Sequence, residues 1–127
     1  MKLHLTDFSD LNAFTGYGPG YVEVNRMQYT CNLIVLPDQI IQNWPVRNFD
    51  QLTIQHLEDL LSMRPEIILI GTGTTFKFPD RPLLKDIAAR AISLEVMDTQ
   101  ATCRTYNILS TEGRRVAAAM FVEITSG

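Results

Sequence analysis

Cysteine and histidine are scarce in this chain. Its 127 residues hold two cysteines, Cys31 and Cys103, and two histidines, His4 and His56. Two cysteines do not make a disulfide framework, so both are read as reduced thiols. Metal sites need clustered ligands, and these four residues are scattered, so no metal and no cofactor is expected. Triad chemistry would have to recruit one of the two histidines, and no serine sits on a nucleophile-elbow pattern. Cys103 falls near a helix start, where a thiol can be activated. Without a CxxC partner it reads instead as a small core or boundary residue.

Positive charge is thin as well. Eleven basic side chains face fourteen acidic ones, for a net charge of −3. Arg114 and Arg115 are the only adjacent basic pair. Phosphate tracking needs clustered cations, so nucleic acid is not an expected partner. Long apolar runs are missing too. The longest, Ile67 to Ile70 with its Gly/Thr tail, is far too short to cross a bilayer. The opening Met1–Asp7 turns polar too soon for a secretory signal, and Asp7 and Asp10 are unlike a transit peptide. A cytoplasmic protein that is not membrane-embedded is the expectation.

What is present suits one globular domain over residues 1–127, with 46% hydrophobic and 20% charged side chains. Residues 1–20 read as an N-terminal arm hinged at Gly16-Tyr17-Gly18-Pro19-Gly20. That glycine cluster lacks the lysine and the helix of a phosphate loop, so it reads as a turn. Tyr21–Val24, Tyr29–Leu36 and Ile40–Trp44 predict short antiparallel strands. Trp44 reads as a residue packed on the core, or else as an anchor for a partner.

From Thr53 onward the pattern changes. Thr53 caps a short helix whose inner face is Ile54, Leu57, Leu60 and Leu61, with His56 on the polar face. Glu66–Ile70 runs apolar without alternation, as a strand buried on both faces does. Asp80 caps a second helix with Pro82 in its first turn. Leu94–Met97 is a strand, and Asp98 caps a third helix that runs to about Thr111 before Gly113. Ala101, Thr105, Ile108 and Leu109 predict its inner face. Arg115–Ile124 is the last strand. The result is a β-α-β-α-β half whose strands are parallel. Antiparallel N-terminal strands cover it, giving an α/β domain with a mixed sheet in three layers.

Ligands of open α/β sheets lie beyond the carboxyl ends of the strands. Two loops converge there by this reading. One is Gly71-Thr72-Gly73-Thr74, and the other is the helix start at Asp98-Thr99. Arg104 follows within two turns, with Tyr106 further round. These eight residues form the candidate pocket, suited to a small anion or an acidic peptide group. The competing reading has the glycines serving only the turn. In that reading Arg104 pairs with Glu95, Asp98 or Glu23. No catalytic residue is singled out, and an enzyme is the less favoured reading.

Three stretches resemble the domain-of-unknown-function 498/598 family, the Mth938-like domains. They are Gly16–Tyr21 with Val24-Asn25, Pro65–Gly73, and Glu95–Thr99 continuing through Ala101, Arg104–Leu109 and Glu112–Arg114. Leu36-Pro37 and Trp44 fall in order between them. The resemblance implies a compact β/β/α arrangement. It also implies kinship with an assembly factor of mitochondrial respiratory complex I that acts through protein–protein interaction. The expected role is therefore a non-catalytic interaction domain, with a small-ligand site as the alternative.

Overall fold

A computed structural model describes residues 10–123. The expected arm over residues 1–9, His4 and Ile124 lie outside that range. Eight strands and three helices follow in the order β1 Phe14–Gly18, β2 Tyr21–Val24, β3 Met27–Tyr29, β4 Leu33–Leu36, β5 Gln39–Gln42, α1 Ile54–Leu61, β6 Ile67–Gly71, α2 Arg81–Ala89, β7 Leu94–Met97, α3 Thr99–Thr111 and β8 Val116–Met120.

The central sheet has five strands in the order β5-β4-β8-β6-β7. β6 pairs in parallel with both β7 and β8, while β4 runs antiparallel to β5 and to β8. The expected mixed sheet and the three parallel strands are therefore present. The chain steps one way from β6 to β7, then back past β6 to β8. A right-handed crossover made in opposite directions puts its two helices on opposite faces. Side-chain alternation records both faces. Ile68 and Ile70 of β6, with Ala117 and Ala119 of β8, join Leu57, Leu60 and Leu83 of α1 and α2. Leu69, Val116, Ala118 and Met120 face Cys103 and Tyr106 of α3 together with Val22 and Val24.

β1, β2 and β3 form a second, antiparallel sheet that shares this α3 face. Here the expectation is corrected. Residues 14–20 are not part of an arm but the first strand and turn of this sheet. Their glycines misled, because a Cβ on Gly18 would lie 2.4 Å from the Tyr21 ring. The glycine makes room for an aromatic in the next strand instead of loosening the chain. Three further strands are shorter than expected, the last being Val116–Met120 where Arg115–Ile124 was expected. Tyr29–Leu36 is interrupted at residues 30–32, and Ile40–Trp44 stops at Gln42.

Asparagine side chains join the layers. Asn32 is 1% exposed. Its Nδ2 donates to the carbonyls of Val46 (2.7 Å) and Arg47 (3.0 Å), and its Oδ1 accepts from the N–H groups of Val122 (2.6 Å) and Glu123 (2.9 Å). Asn107 of α3 accepts from the Phe14 N–H (2.9 Å) and donates to the Phe14 carbonyl (2.8 Å), which completes one step of ladder on the free side of β1.

Candidate functional site

β6 and β7 end side by side, in parallel register from Ile68 opposite Leu94 to Gly71 opposite Met97. The two loops that leave them meet at one rim, as their parallel order requires. The Thr99 N–H donates to the Gly73 carbonyl at 2.7 Å, and the Thr72 N–H to the Met97 carbonyl at 2.8 Å. Gly73 holds φ +110°, a backbone state that side chains disfavour. Gly71 is needed for a different reason. A Cβ there would stand 2.9 Å from Met120 Cε and 3.2 Å from Thr102 Oγ1, so its absence lets α3 close onto the end of β6.

The rim opens into a cavity of about 320 Å³, lined by Thr72, Gly73, Thr74 and Thr75, with Arg47 and Lys77 at its edge. Thr72 is buried, and its hydroxyl donates to the Thr75 carbonyl (2.8 Å) and accepts from the Lys77 N–H (3.2 Å). One threonine thus folds the loop around itself. Arg47, with neighbouring Asn48 and Glu123, enters this cavity from the segment that Asn32 ties down. Sequence reasoning missed Arg47 and Asn32. The one available signal was a polar Asn placed directly before the apolar run Leu33–Leu36.

The helix start contributes less than its sequence implies. The Asp98 carboxylate accepts from the Ala101 N–H at 2.9 Å, and the Thr99 N–H is taken by Gly73. Thr99 is itself buried. The groups that would have met an anion are thus used internally.

Arg104 and Tyr106 leave the pocket altogether. The buried face of α3 is Thr99, Thr102, Cys103, Tyr106 and Ser110, while Ile108 is 51% exposed. Of the expected face, Leu109 packs on this core and Ala101 and Thr105 are half-buried, while Ile108 turns outward, so the helix is rotated from the expected phase. Arg104, one residue beyond Cys103, therefore points outward. It lines a separate groove of about 210 Å³ between α3 and β1, beside Tyr17, Gln100 and Asn107. None of its expected partners holds it in the described ion pairs. Asp98 is the helix cap, and Glu23 accepts from the Thr15 hydroxyl at 2.8 Å. Tyr106 is fully buried and meets Phe14 edge to face, with centroids 5.2 Å apart.

The other candidates resolve simply. Burial pushes the Cys103 thiol up to about 12, the reverse of an activated nucleophile. Cys31 and Cys103 are both free. His56 is not merely solvated, because its Nδ1 accepts from the Thr53 N–H at 3.0 Å in a capping box. Trp44 is buried against Phe121, with centroids 5.1 Å apart, as a core residue. Among the described residues, no group of three His, Cys, Asp or Glu is placed to hold a metal. No helix among them is long and apolar enough to cross a membrane. What the rim offers chemically is a polar recess with two cations, the Glu123 carboxylate and threonine hydroxyls.

The profile of the family described as "Protein of unknown function (DUF498/DUF598)" matches residues 14–121. The chain belongs to this family. It is 31% identical over 105 residues to the "13 kDa major membrane protein" of Francisella tularensis subsp. holarctica, covering 82% of this chain and 85% of that one. It is 36% identical over 98 residues to human NADH dehydrogenase (ubiquinone) 1 alpha subcomplex assembly factor 3, covering 76% of this chain. It spans only 52% of that relative's length. Among solved structures, a Mth938-like domain from Bordetella pertussis matches with a TM-score of 0.73 at 31% identity, over 99% of this chain and 95% of that one. The fold expected from the resemblance is thus the observed one.

Proposed function

We propose that this domain is a non-catalytic protein-interaction module that assists the assembly of a membrane-associated complex, with the respiratory chain as the first place to look. One observation carries the reading. Relatives named as complex I assembly factors align over three quarters of this chain at about a third identity. The architecture is in keeping with it. The buried Asn32 and Thr72 side chains serve the backbone, and the one strongly shifted thiol is made inert. The name of the Francisella relative places that protein at a membrane, which favours a membrane-associated client for this domain.

The test is a null strain of the native host, complemented with the wild-type chain. Native gels of solubilised membranes should show at least one complex reduced, with its sub-assemblies accumulating, and complementation should restore it. Wild-type levels of every membrane complex in the null strain would overturn the reading.

A second reading rests on the rim cavity. Arg47 and Lys77 beside the threonine-rich loop give it the polarity to hold a small anion. Melting scans with phosphate, citrate and nucleotides should show a shift that Arg47→Ala abolishes. A flat response to all three classes removes this reading.

A further inference from the structure

The most outward apolar group among the described residues stands on the loop between β6 and α2. Phe78 is 83% exposed and Phe76 is 40% exposed. Their rings meet edge to face with centroids 4.7 Å apart, so each covers little more than the edge of the other. Paired exposed rings at one loop tip mark a surface that something else covers, unlike a single stray apolar residue. They are not spill-over from the core, because the residue of this segment that enters the core is Leu83.

Cations outnumber acids in the segment that carries the pair. Residues 76–85 carry three cations, Lys77, Arg81 and Lys85, against one acid, Asp80, in a chain of net charge −3. That acid is engaged, since its Oδ1 accepts from the Leu83 N–H at 2.9 Å. Arg81 and Lys85 are four residues apart on α2 and so share a face. Pro82 and Leu84, the latter 48% exposed, line the same shallow groove with them. Asp86 falls about 100° further round the helix from Lys85. Phe78 itself borders a small cleft that also holds Asp50, Asp80 and Leu52.

We propose that this segment is a peripheral docking surface for an anionic lipid bilayer. Phe76 and Phe78 enter the boundary between headgroups and acyl chains, and Arg81 and Lys85 meet lipid phosphates. Interfacial elements combine apolar side chains with cations in this way. The cations are spread along the segment rather than focused on a point. That arrangement matches a surface of repeated negative charge better than one carboxylate on a protein. Each cation near an anionic leaflet strengthens partition by about fivefold. The inference goes beyond the assembly reading and does not depend on it.

The test is co-sedimentation of the full chain with vesicles of phosphatidylcholine, alone or mixed with phosphatidylglycerol. Binding is expected to the mixed vesicles only, and to weaken as salt rises. Arg81→Glu with Lys85→Glu should lower it at least about tenfold. Phe76→Ala with Phe78→Ala should abolish it while the melting temperature stays near wild type, since both rings are exposed. A photo-crosslinker in place of Phe78, used in the native host, should give lipid adducts. Failure to bind mixed vesicles, equal binding to both vesicle types, or adducts with a protein would each overturn the proposal. A vesicle failure alongside a persisting assembly defect in the null strain removes this surface alone.

Discussion

α2 and α3 cross over the same sheet, yet they are built for opposite ends. α3 buries five of its thirteen residues. It is clasped to β1 by Asn107 and approaches β6 closely enough to demand Gly71. α2 buries one residue of nine, Leu83, and turns Leu84 outward. Its preceding loop displays Phe76 and Phe78, whereas the start of α3 is folded in under Gly73. Equivalent connections in one fold have thus divided the work. One spends its side chains on packing and the other presents them to the outside.

The sharpest way to break this contrast is to truncate one residue on each helix. Tyr106→Ala should destabilise by about 3–5 kcal/mol, because it empties a fully buried aromatic site. Leu84→Ala should stay within about 0.5 kcal/mol. Urea unfolding of the two variants checks the pair, and equal midpoints would erase the distinction. Next in size is Asn107→Ala, which strips both ladder bonds from Phe14 and should cost about 1–3 kcal/mol by the same measurement.

Tyr106→Phe sharpens the comparison from within α3. The Tyr106 hydroxyl and Ser110 Oγ are buried with no partner in hydrogen-bond geometry, although Ser110 partly opposes the effect of burial on the phenol. Removing an unpartnered hydroxyl should be neutral or stabilising by up to about 1 kcal/mol at neutral pH. Burial holds back the ionisation of both this phenol and the Cys103 thiol in the folded state, pushing each above its ordinary value. Their contribution is therefore whole below the unfolded values, and the thiol's part is lost between its ordinary 9.0 and about 12. Alkaline unfolding followed by circular dichroism should steepen over that range, and less so for Tyr106→Phe.

The smallest effect lies away from both helices. Backbone and side-chain hydrogen bonds, first from the Arg115 N–H and then from Arg114, lower the Glu66 carboxyl below its usual value. A lowered carboxylate contributes above its unfolded value, and that contribution fades as pH falls through the folded one. Glu66 is fully exposed, so Glu66→Gln should only slightly flatten the acid limb of a pH–stability curve.

Most of the fold was readable from the sequence pattern, because β6 and β8 are apolar on both faces and Thr53, Asp80 and Asp98 mark three helix starts. The phase of α3 was not. Its inner face holds Thr102 and Ser110, and Thr102 buries its hydroxyl at no loss by donating to the Asp98 carbonyl at 2.7 Å. Counting apolar residues therefore favoured Ile108 and Leu109, and Arg104 and Tyr106 were drawn into a pocket neither one lines. The meeting of the two rim loops was legible from strand direction. The side chains that furnish the cavity were not, since Arg47 arrives from a segment held in place by Asn32, which lies 90 positions ahead of its partner at Val122. The first sheet was hidden because glycine-rich Gly16–Gly20 signals a turn whether or not strands flank it.

Asn32 joins two stretches that lie far apart in the chain, with the Val46–Arg47 carbonyls on one side and the Val122–Glu123 amides, 90 and 91 residues beyond Asn32, on the other. That geometry needs two donors and two lone pairs from a single planar group. Aspartate lacks the donors and leucine lacks everything, so neither can stand in for Asn32. It behaves as a cross-link indifferent to reducing agents, and once it opens, two distant stretches of chain come free together.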